Sequence, residues 1–291
     1  MNDPDINVKT DRSNTESGNA PATSNHYHRW MLTAILVLAL ALRIAACFYW
    51  QNRTEGTLYF GDSDSYWRLA RAMSEGAPYT HDGFYHVFRT PGYPAILTPL
   101  FWLGGENPPI LWARLENAIL GTLAVYMVYL VAKSLFDRRT GLIAALIAAL
   151  WPNAVIHSAL ILSETPFIVL MLLNIWLWGL AWRSEKPGRR RTLALLAGAA
   201  AGAAILVRPS WWLFLPFATI FGLLFCAPRR RHIELGVCMA MATAIVMFPW
   251  WIRNWQISGR FIPTSLQVGA SLYDGIHPNA TGASDMAFVP D

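Results

Sequence analysis

Two carboxylates and one guanidinium lie where reaction chemistry could use them. Asp62 and Asp64 belong to Gly61-Asp62-Ser63-Asp64-Ser65-Tyr66, and Arg89 opens Arg89-Thr90-Pro91-Gly92-Tyr93-Pro94. A carboxylate can take the proton of an attacking hydroxyl. A guanidinium matches phosphate oxygens through paired hydrogen bonds. Together they suit a reaction that needs both a base and an anion-binding group. Each also has a plainer reading. Asp62 precedes Ser63 to Glu75, a stretch that predicts an amphipathic helix ended by Gly76, so its side chain fits the helix N-cap. Tyr66 and Leu69 would share its helix face. Arg89 stands before two prolines and a glycine, which predict a stiff turn leading the chain into the next apolar run. There it could contact lipid head groups. On the residues alone both readings stay open.

These residues fall in one polar stretch, 51–108, between apolar runs. The 291-residue chain is 54% hydrophobic and 14% charged, against roughly 25% charged in an ordinary soluble domain. Its 14 tryptophans suit a membrane interface. The net charge of +5 does not point to nucleic acid, because the basic residues cluster in short connections between apolar runs. Cys47, Cys226 and Cys238 lie in apolar segments without metal-ligand spacing, which predicts neither disulfide nor zinc. His81 and His86 share the polar stretch, but two histidines make a weak ligand pattern.

The fold class is therefore an all-α polytopic membrane protein. Residues 1–28 are polar and aperiodic, and predict a disordered cytoplasmic tail. Trp30 to Trp50 is long enough for one span and has no clear cleavage site, so it predicts an uncleaved helix interrupted by Arg43. Further spans are predicted at 109–132, 141–158, 161–182, 192–208, 211–227 and 233–252, seven in all. Three basic connections then share one side: Lys133/Arg138/Arg139, Arg183/Lys186/Arg189/Arg190/Arg191 and Arg229/Arg230/Arg231. The positive-inside rule puts them and the N-terminus in the cytoplasm. The 51–108 loop, the 158–161 turn, the Arg208-Pro209-Ser210 turn and the segment after 252 face outward. Gly198 and Gly202, in an Ala-rich span, predict close helix packing.

Charged and polar residues gather near the outward ends of these spans: Arg114, Glu116 and Asn117, then Glu164, Arg208 and Arg253. Intramembrane charges are costly and usually face a bundle interior or an aqueous cavity. Any one could snorkel to the surface. All lie on the side of Asp62 and Arg89, as a shared site requires.

Six short motifs carry a resemblance. They are Gly-Asp-Ser-x-x-Tyr (61–66), Arg-Thr-Pro-Gly-Tyr-Pro (89–94), Arg-Leu-Glu-Asn (114–117), Leu-Ser-Glu-Thr (162–165), Arg-Pro (208–209) and Pro-Trp-Trp-Ile-Arg-Asn (249–254). In this order and at these places they resemble the GT-C superfamily of membrane glycosyltransferases. More narrowly, they are similar to the bacterial branch related to protein O-mannosyltransferases and the lipid A aminoarabinose transferase (glycosyltransferase family 39-like). The resemblance covers most of residues 30–291. It implies a transmembrane glycosyltransferase-like domain over 29–258 and an extracytoplasmic segment over 259–291. It places the catalytic acidic residue on Asp62, with Asp64 as second choice. Arg89 is implied at the lipid phosphate, and Tyr93, Arg114, Glu164, Arg208 and Arg253 near the substrate. Relatives of this kind are usually longer, so the chain, which stops at Asp291 in a polar segment, is expected to be a fragment or an incomplete gene product.

The expected activity is inverting transfer of a sugar from a polyprenyl-phosphate donor to a lipid, glycan or protein acceptor at the extracytoplasmic face of a bacterial inner membrane. Membrane lipids are the other expected partners. No cofactor is required, and a divalent cation bridging Asp62 or Asp64 to the phosphate is an open alternative. A transporter or flippase of a lipid-linked anion would use the same arginines without a base. An inactive truncated remnant is the third reading.

Overall fold

The computed structural model describes residues 22–80, 83, 86–278, 280 and 282. The tail expected over 1–28 lies outside the described residues up to 21, as does His81. Residues 22–28 are helical and form the first turns of α1, Ala22–Arg53. No glycine or proline follows Pro21 there, so the helix of the apolar run extends back through the polar residues.

The polar stretch after α1 forms two short helices, α2 (Gly61–Ser74) and α3 (Gly92–Gly104). The second corrects the expectation that Arg89 to Pro94 is only a turn. Pro94 falls in the first turn of α3, where a missing N–H costs no hydrogen bond. Gly92 has a separate reason to be glycine. A Cβ there would stand 2.5 Å from the carbonyl carbon and oxygen of Leu206, so the start of α3 presses directly on another backbone. Tyr66 and Ala70 of α2 pack with Tyr93, Leu97 and Phe101 of α3, together with Ala113, Ile161 and Val207. This cluster joins the outer helices to the bundle.

The bundle is built from α1, α4 (Ile110–Leu135), α5 (Arg138–Leu150), α6 (Pro152–Ala159), α7 (Glu164–Arg183), α8 (Pro187–Val207), α9 (Phe214–Phe225) and α10 (Arg229–Ser258). Helix α11 (Gln267–Ile276) follows. Five helices, namely α1, α4, α7, α8 and α10, are each long and apolar enough to cross a membrane. The run 141–158 is not one straight span. It breaks at Trp151-Pro152 into α5 and α6, bent by 56°, and brings the number to six if the pair counts as one span. The run 211–227 forms a 3₁₀ turn, Pro209–Leu213, and the short apolar α9. All seven apolar runs are thus helical, but among the described residues only these five or six qualify as spans by length and composition.

The break has a local cause and a distant remedy. Pro152 lacks the N–H that would satisfy the carbonyl of Ala148. Arg43 of α1, only 1% exposed, fills the gap. Its Nη2 donates to the Ala148 oxygen at 3.4 Å, and its Nη1 donates to the oxygens of Ala149 at 3.4 Å and Ala39 at 3.1 Å. A guanidinium at a helix C-terminus also suits the negative end of the helix dipole.

Helices α8 and α10 pack more closely than side chains would permit. A Cβ on Gly198 would lie 2.3 Å from the Met239 carbonyl oxygen, and one on Gly202 would lie 2.9 Å from Val246 Cβ. Thr243 then donates its hydroxyl to the Gly198 oxygen at 2.8 Å, and Asn174 of α7 donates to the Ala197 oxygen at 2.8 Å. Small residues and interhelical hydrogen bonds replace the hydrophobic drive that lipid removes. At the end away from α2, Glu234 receives hydrogen bonds from Arg190 and Arg191, both at 2.6 Å, and so ties two basic connections together.

Candidate active site

The opposite end of the bundle holds a cavity of about 480 Å³. Its wall includes Asp62, Tyr66, Arg89, Ser163, Glu164 and Arg208. Residues from α2, the start of α7, the end of α8 and α11 therefore meet there, although they are distant in the chain.

Asp62 is not the N-cap of α2. Phe60 holds that position in an extended conformation without a side-chain hydrogen bond, and Asp62 is the second residue of the helix. A charged partner outcompetes the backbone amide. Arg89 Nη2 donates to Asp62 Oδ1 at 2.5 Å, while the helix N-terminus still favours the negative charge. The Asp62 side chain stays 53% exposed, whereas that of Arg89 is 6% exposed. Arg89 also donates through Nε to Ser65 Oγ at 2.8 Å. Its Nη1 donates to the Tyr66 hydroxyl at 3.3 Å and to Gln267 Oε1 of α11 at 3.4 Å. The guanidinium lies 4.7 Å from the centre of the Tyr66 ring. Burial and four partners make this arginine a fixed part of the wall, not a side chain resting among head groups.

A second pair faces the same cavity. Glu164 begins α7 and Arg208 follows α8, and their side chains meet at 2.5 Å. Ser163 links the two pairs. Its oxygen accepts from the Tyr66 hydroxyl at 3.3 Å and from Arg208 Nη1 at 3.4 Å. A continuous polar chain thus runs from Asp62 through Arg89, Tyr66, Ser163 and Arg208 to Glu164. Two cations balance two anions along it, so the arrangement can receive a phosphate by exchanging carboxylate partners for it.

The other expected site residues stand elsewhere. Asp64 pairs with Arg68 one turn along α2, and is not among the residues lining the cavity. Tyr93 is fully buried one layer below, edge-on to Tyr66 at 5.0 Å, and its hydroxyl accepts from Asn117 Nδ2 at 2.9 Å. Arg114, 2% exposed, donates from Nη2 to the Thr54 hydroxyl and the Thr57 carbonyl, both at 3.0 Å, and so fastens the turn after α1. Arg253 donates to the carbonyls of His86 at 2.8 Å and Tyr79 at 2.7 Å, with its guanidinium 4.8 Å from the Trp250 ring centre. It anchors the polar stretch to α10. Tyr79 in turn donates to the Thr90 carbonyl at 3.0 Å, and burial pushes its phenol well above the ordinary tyrosine pKa. The substrate-binding roles expected of Tyr93, Arg114 and Arg253 are therefore not matched by a place on the cavity wall.

Sequence reasoning missed Ser163 as a bridge and missed α11 altogether. Gln267, Val268 and Ser271 of that helix line the cavity, and the Leu266 amide donates to the Val87 carbonyl at 3.0 Å. The signal was present in Val268, Leu272 and Ile276, spaced as one apolar helix face. Asp62 and Asp64 are engaged by different arginines, Arg89 and Arg68.

Comparison with solved structures places the fold. The apo oligosaccharyltransferase of Archaeoglobus fulgidus aligns with a TM-score of 0.63 and 18% identity over 80% of this chain and 30% of its own. ArnT from Cupriavidus metallidurans, solved with undecaprenyl phosphate, aligns with a TM-score of 0.63 and 19% identity over 83% of this chain and 43% of its own. The Archaeoglobus fulgidus enzyme AglB, in complex with an inhibitory peptide and a dolichol-phosphate, gives 0.57 and 17% over 79% and 30%. The chain therefore spans less than half the length of each of these. No curated protein sequence matches it. The dolichyl-phosphate-mannose-protein mannosyltransferase family matches residues 89–252, more than half of the chain, and the protein is an integral membrane member of that family.

Proposed function

We propose that this chain carries the reaction centre of a glycosyltransferase that moves a sugar from a polyprenyl-phosphate donor to an acceptor hydroxyl. The observation that carries the proposal is the placing of Asp62 beside a buried Arg89 on the wall of one cavity that Glu164 and Arg208 also line. Family membership and the lipid phosphates seen with ArnT and AglB support the same donor class.

In this reading the donor phosphate meets the guanidinium groups of Arg89 and Arg208. The acceptor hydroxyl gives its proton to Asp62, and its oxygen forms a bond to the anomeric carbon. The bond from that carbon to the phosphate oxygen breaks, and the electron pair leaves with the phosphate. One displacement inverts the anomeric centre. The transition state resembles an oxocarbenium ion, as in other glycosyl transfers. The arginines stabilise the charge that builds on the leaving phosphate. A polyprenyl phosphate needs no separate acid to leave. By the positive-inside rule the basic connections at the far end support an N-terminus in the cytoplasm and a cavity outside, and the membrane of this reading is the inner membrane of a bacterium. Residues 29–258 then form the transferase domain, and the segment from 259 contributes α11 to the mouth of its cavity.

The test is release of polyprenyl phosphate from lipid-linked sugars in proteoliposomes, comparing the parent with Asp62→Asn. Loss of a general base predicts turnover lower by about 10²- to 10⁴-fold with donor binding retained. Equal release by both proteins would overturn the assignment of Asp62.

A further inference from the structure

The charged side chains of the cavity account for a phosphate but not for the rest of its wall. Asp62, Arg89, Glu164 and Arg208 pair with one another. The cavity holds about 480 Å³, a size at which small molecules bind. The other polar side chains on its wall are uncharged, and two of them, Trp212 and Gln267, stand next to the arginines.

Trp212 lies on the 3₁₀ turn Pro209–Leu213, which begins directly after Arg208. Its ring packs against the cluster of Val87, Ile205, Met247 and Trp250, and lies 6.2 Å from the Trp251 ring. The neighbouring tryptophans spend their N–H groups within the protein. Trp211 donates to Asn174 Oδ1 at 3.2 Å, Trp250 to the Thr264 carbonyl at 2.6 Å and Trp251 to the Pro263 carbonyl at 2.9 Å. Trp212 Nε1 has no hydrogen-bond partner among the described residues, and it is not sealed in the interior. A tryptophan that only filled the core would bury its N–H with a partner. Trp212 instead lines the cavity with its N–H unspent.

Gln267 begins α11. A guanidinium can only donate, so the Gln267 oxygen is the atom that faces Arg89 Nη1, at 3.4 Å. The amide nitrogen on the same carbon has no partner among the described residues and is likewise not sealed in the interior. It can only donate. Gln267 therefore holds spare N–H groups beside the guanidinium assigned to the lipid phosphate.

In a lipid-linked sugar, the group next to that phosphate is the sugar ring, joined to it through the anomeric oxygen. Its hydroxyls accept from neutral N–H groups, and its C–H face rests well on the negative face of an aromatic ring. We infer that Trp212 and Gln267 form the subsite for this ring, Trp212 covering its C–H face and Gln267 donating to a hydroxyl near the anomeric carbon. The inference rests on the glycosyl-transfer reading of the cavity.

The test is equilibrium binding of fluorescent polyprenyl phosphates to the full chain in detergent micelles, one lipid bare and the others bearing glucose, mannose, galactose or arabinose. The readout is the ratio of sugar-bearing to bare affinity, for the sugar that the parent binds most tightly. Trp212→Ala should lower this ratio roughly tenfold, while the bare lipid binds within about twofold of the parent. Gln267→Ala, which removes one neutral hydrogen bond, should lower it roughly fivefold. Trp212→Phe keeps a ring and should recover part of the loss. Ratios unchanged in Trp212→Ala and Gln267→Ala, with the bare lipid still bound, would overturn this inference alone. So would a loss shared equally by both kinds of lipid, which is what an interfacial anchor or a folding defect would give. No binding of any lipid phosphate by the parent would overturn the glycosyl-transfer reading, and this inference with it.

Discussion

Replacing Arg89 with lysine keeps the charge and removes the fork, so it isolates what the guanidinium geometry contributes. Arg89 now holds Asp62 at 2.5 Å and Ser65 at 2.8 Å from different nitrogens, with longer contacts of 3.3 and 3.4 Å to Tyr66 and Gln267. A lysine ammonium is a single point of contact on a flexible stem. It can keep Asp62 but cannot also serve Ser65 or present two parallel donors to a phosphate. The two longer contacts are near the hydrogen-bond limit and contribute little. The loss for a bound phosphate is therefore one charge-assisted hydrogen bond, about 2 kcal/mol. At 1.4 kcal/mol per tenfold, polyprenyl phosphate should bind Arg89→Lys about 30-fold more weakly. Arg89→Gln removes the charge as well and should bind more weakly still. Equilibrium binding of a fluorescent polyprenyl phosphate in detergent micelles measures this without requiring turnover, and a melting curve on each sample guards against unfolding. Binding by Arg89→Lys within threefold of the parent, at equal thermal stability, would refute a bidentate role for Arg89.

Two further perturbations probe the scaffold. Gly198→Val places a Cβ where the Met239 carbonyl oxygen now stands 2.3 Å away, and backbone cannot rotate aside as a side chain can. Helices α8 and α10 must separate, at a cost of about 1–3 kcal/mol, and an unchanged melting temperature in detergent would contradict the packing described. Arg253→Ala removes the donors that hold the Tyr79 and His86 carbonyls. Limited proteolysis around residues 79–86 should become several-fold faster while the bundle melts near the parent temperature; an unaltered cleavage rate would mean that Arg253 does not anchor this segment.

Asp62 and Arg89 were legible as candidates from residue type and spacing, but their mutual pairing was not. No local rule brings side chains 27 positions apart into contact, and the helix-capping rule that does apply locally pointed Asp62 at the backbone instead. Arg114 and Arg253 show the converse. Each was picked out as an arginine near a helix end on the side of Asp62, yet each serves backbone carbonyls of nearby loops, a use that leaves no trace in the residue type. The break in the run 141–158 could have been read from Pro152, since proline inside an apolar helical pattern kinks or ends it. Hydropathy averages over that residue and therefore joined the two pieces. Glycines 198 and 202 were legible as close packing because their spacing is itself the mechanism.

The paired charges of the cavity at Asp62 bear on how the proposed reaction would be timed. A guanidinium as buried as Arg89 needs partners for its N–H groups, and here an anion is the nearest of them. Asp62 supplies that anion, and Glu164 does the same for Arg208. A donor phosphate competes for the guanidinium fork. As Arg89 turns its donors to the phosphate, the proposed reaction would free Asp62 from its ion pair to meet the acceptor hydroxyl. Tyr66 and Ser163 join the two pairs by hydrogen bonds, so a phosphate engaging either arginine disturbs both.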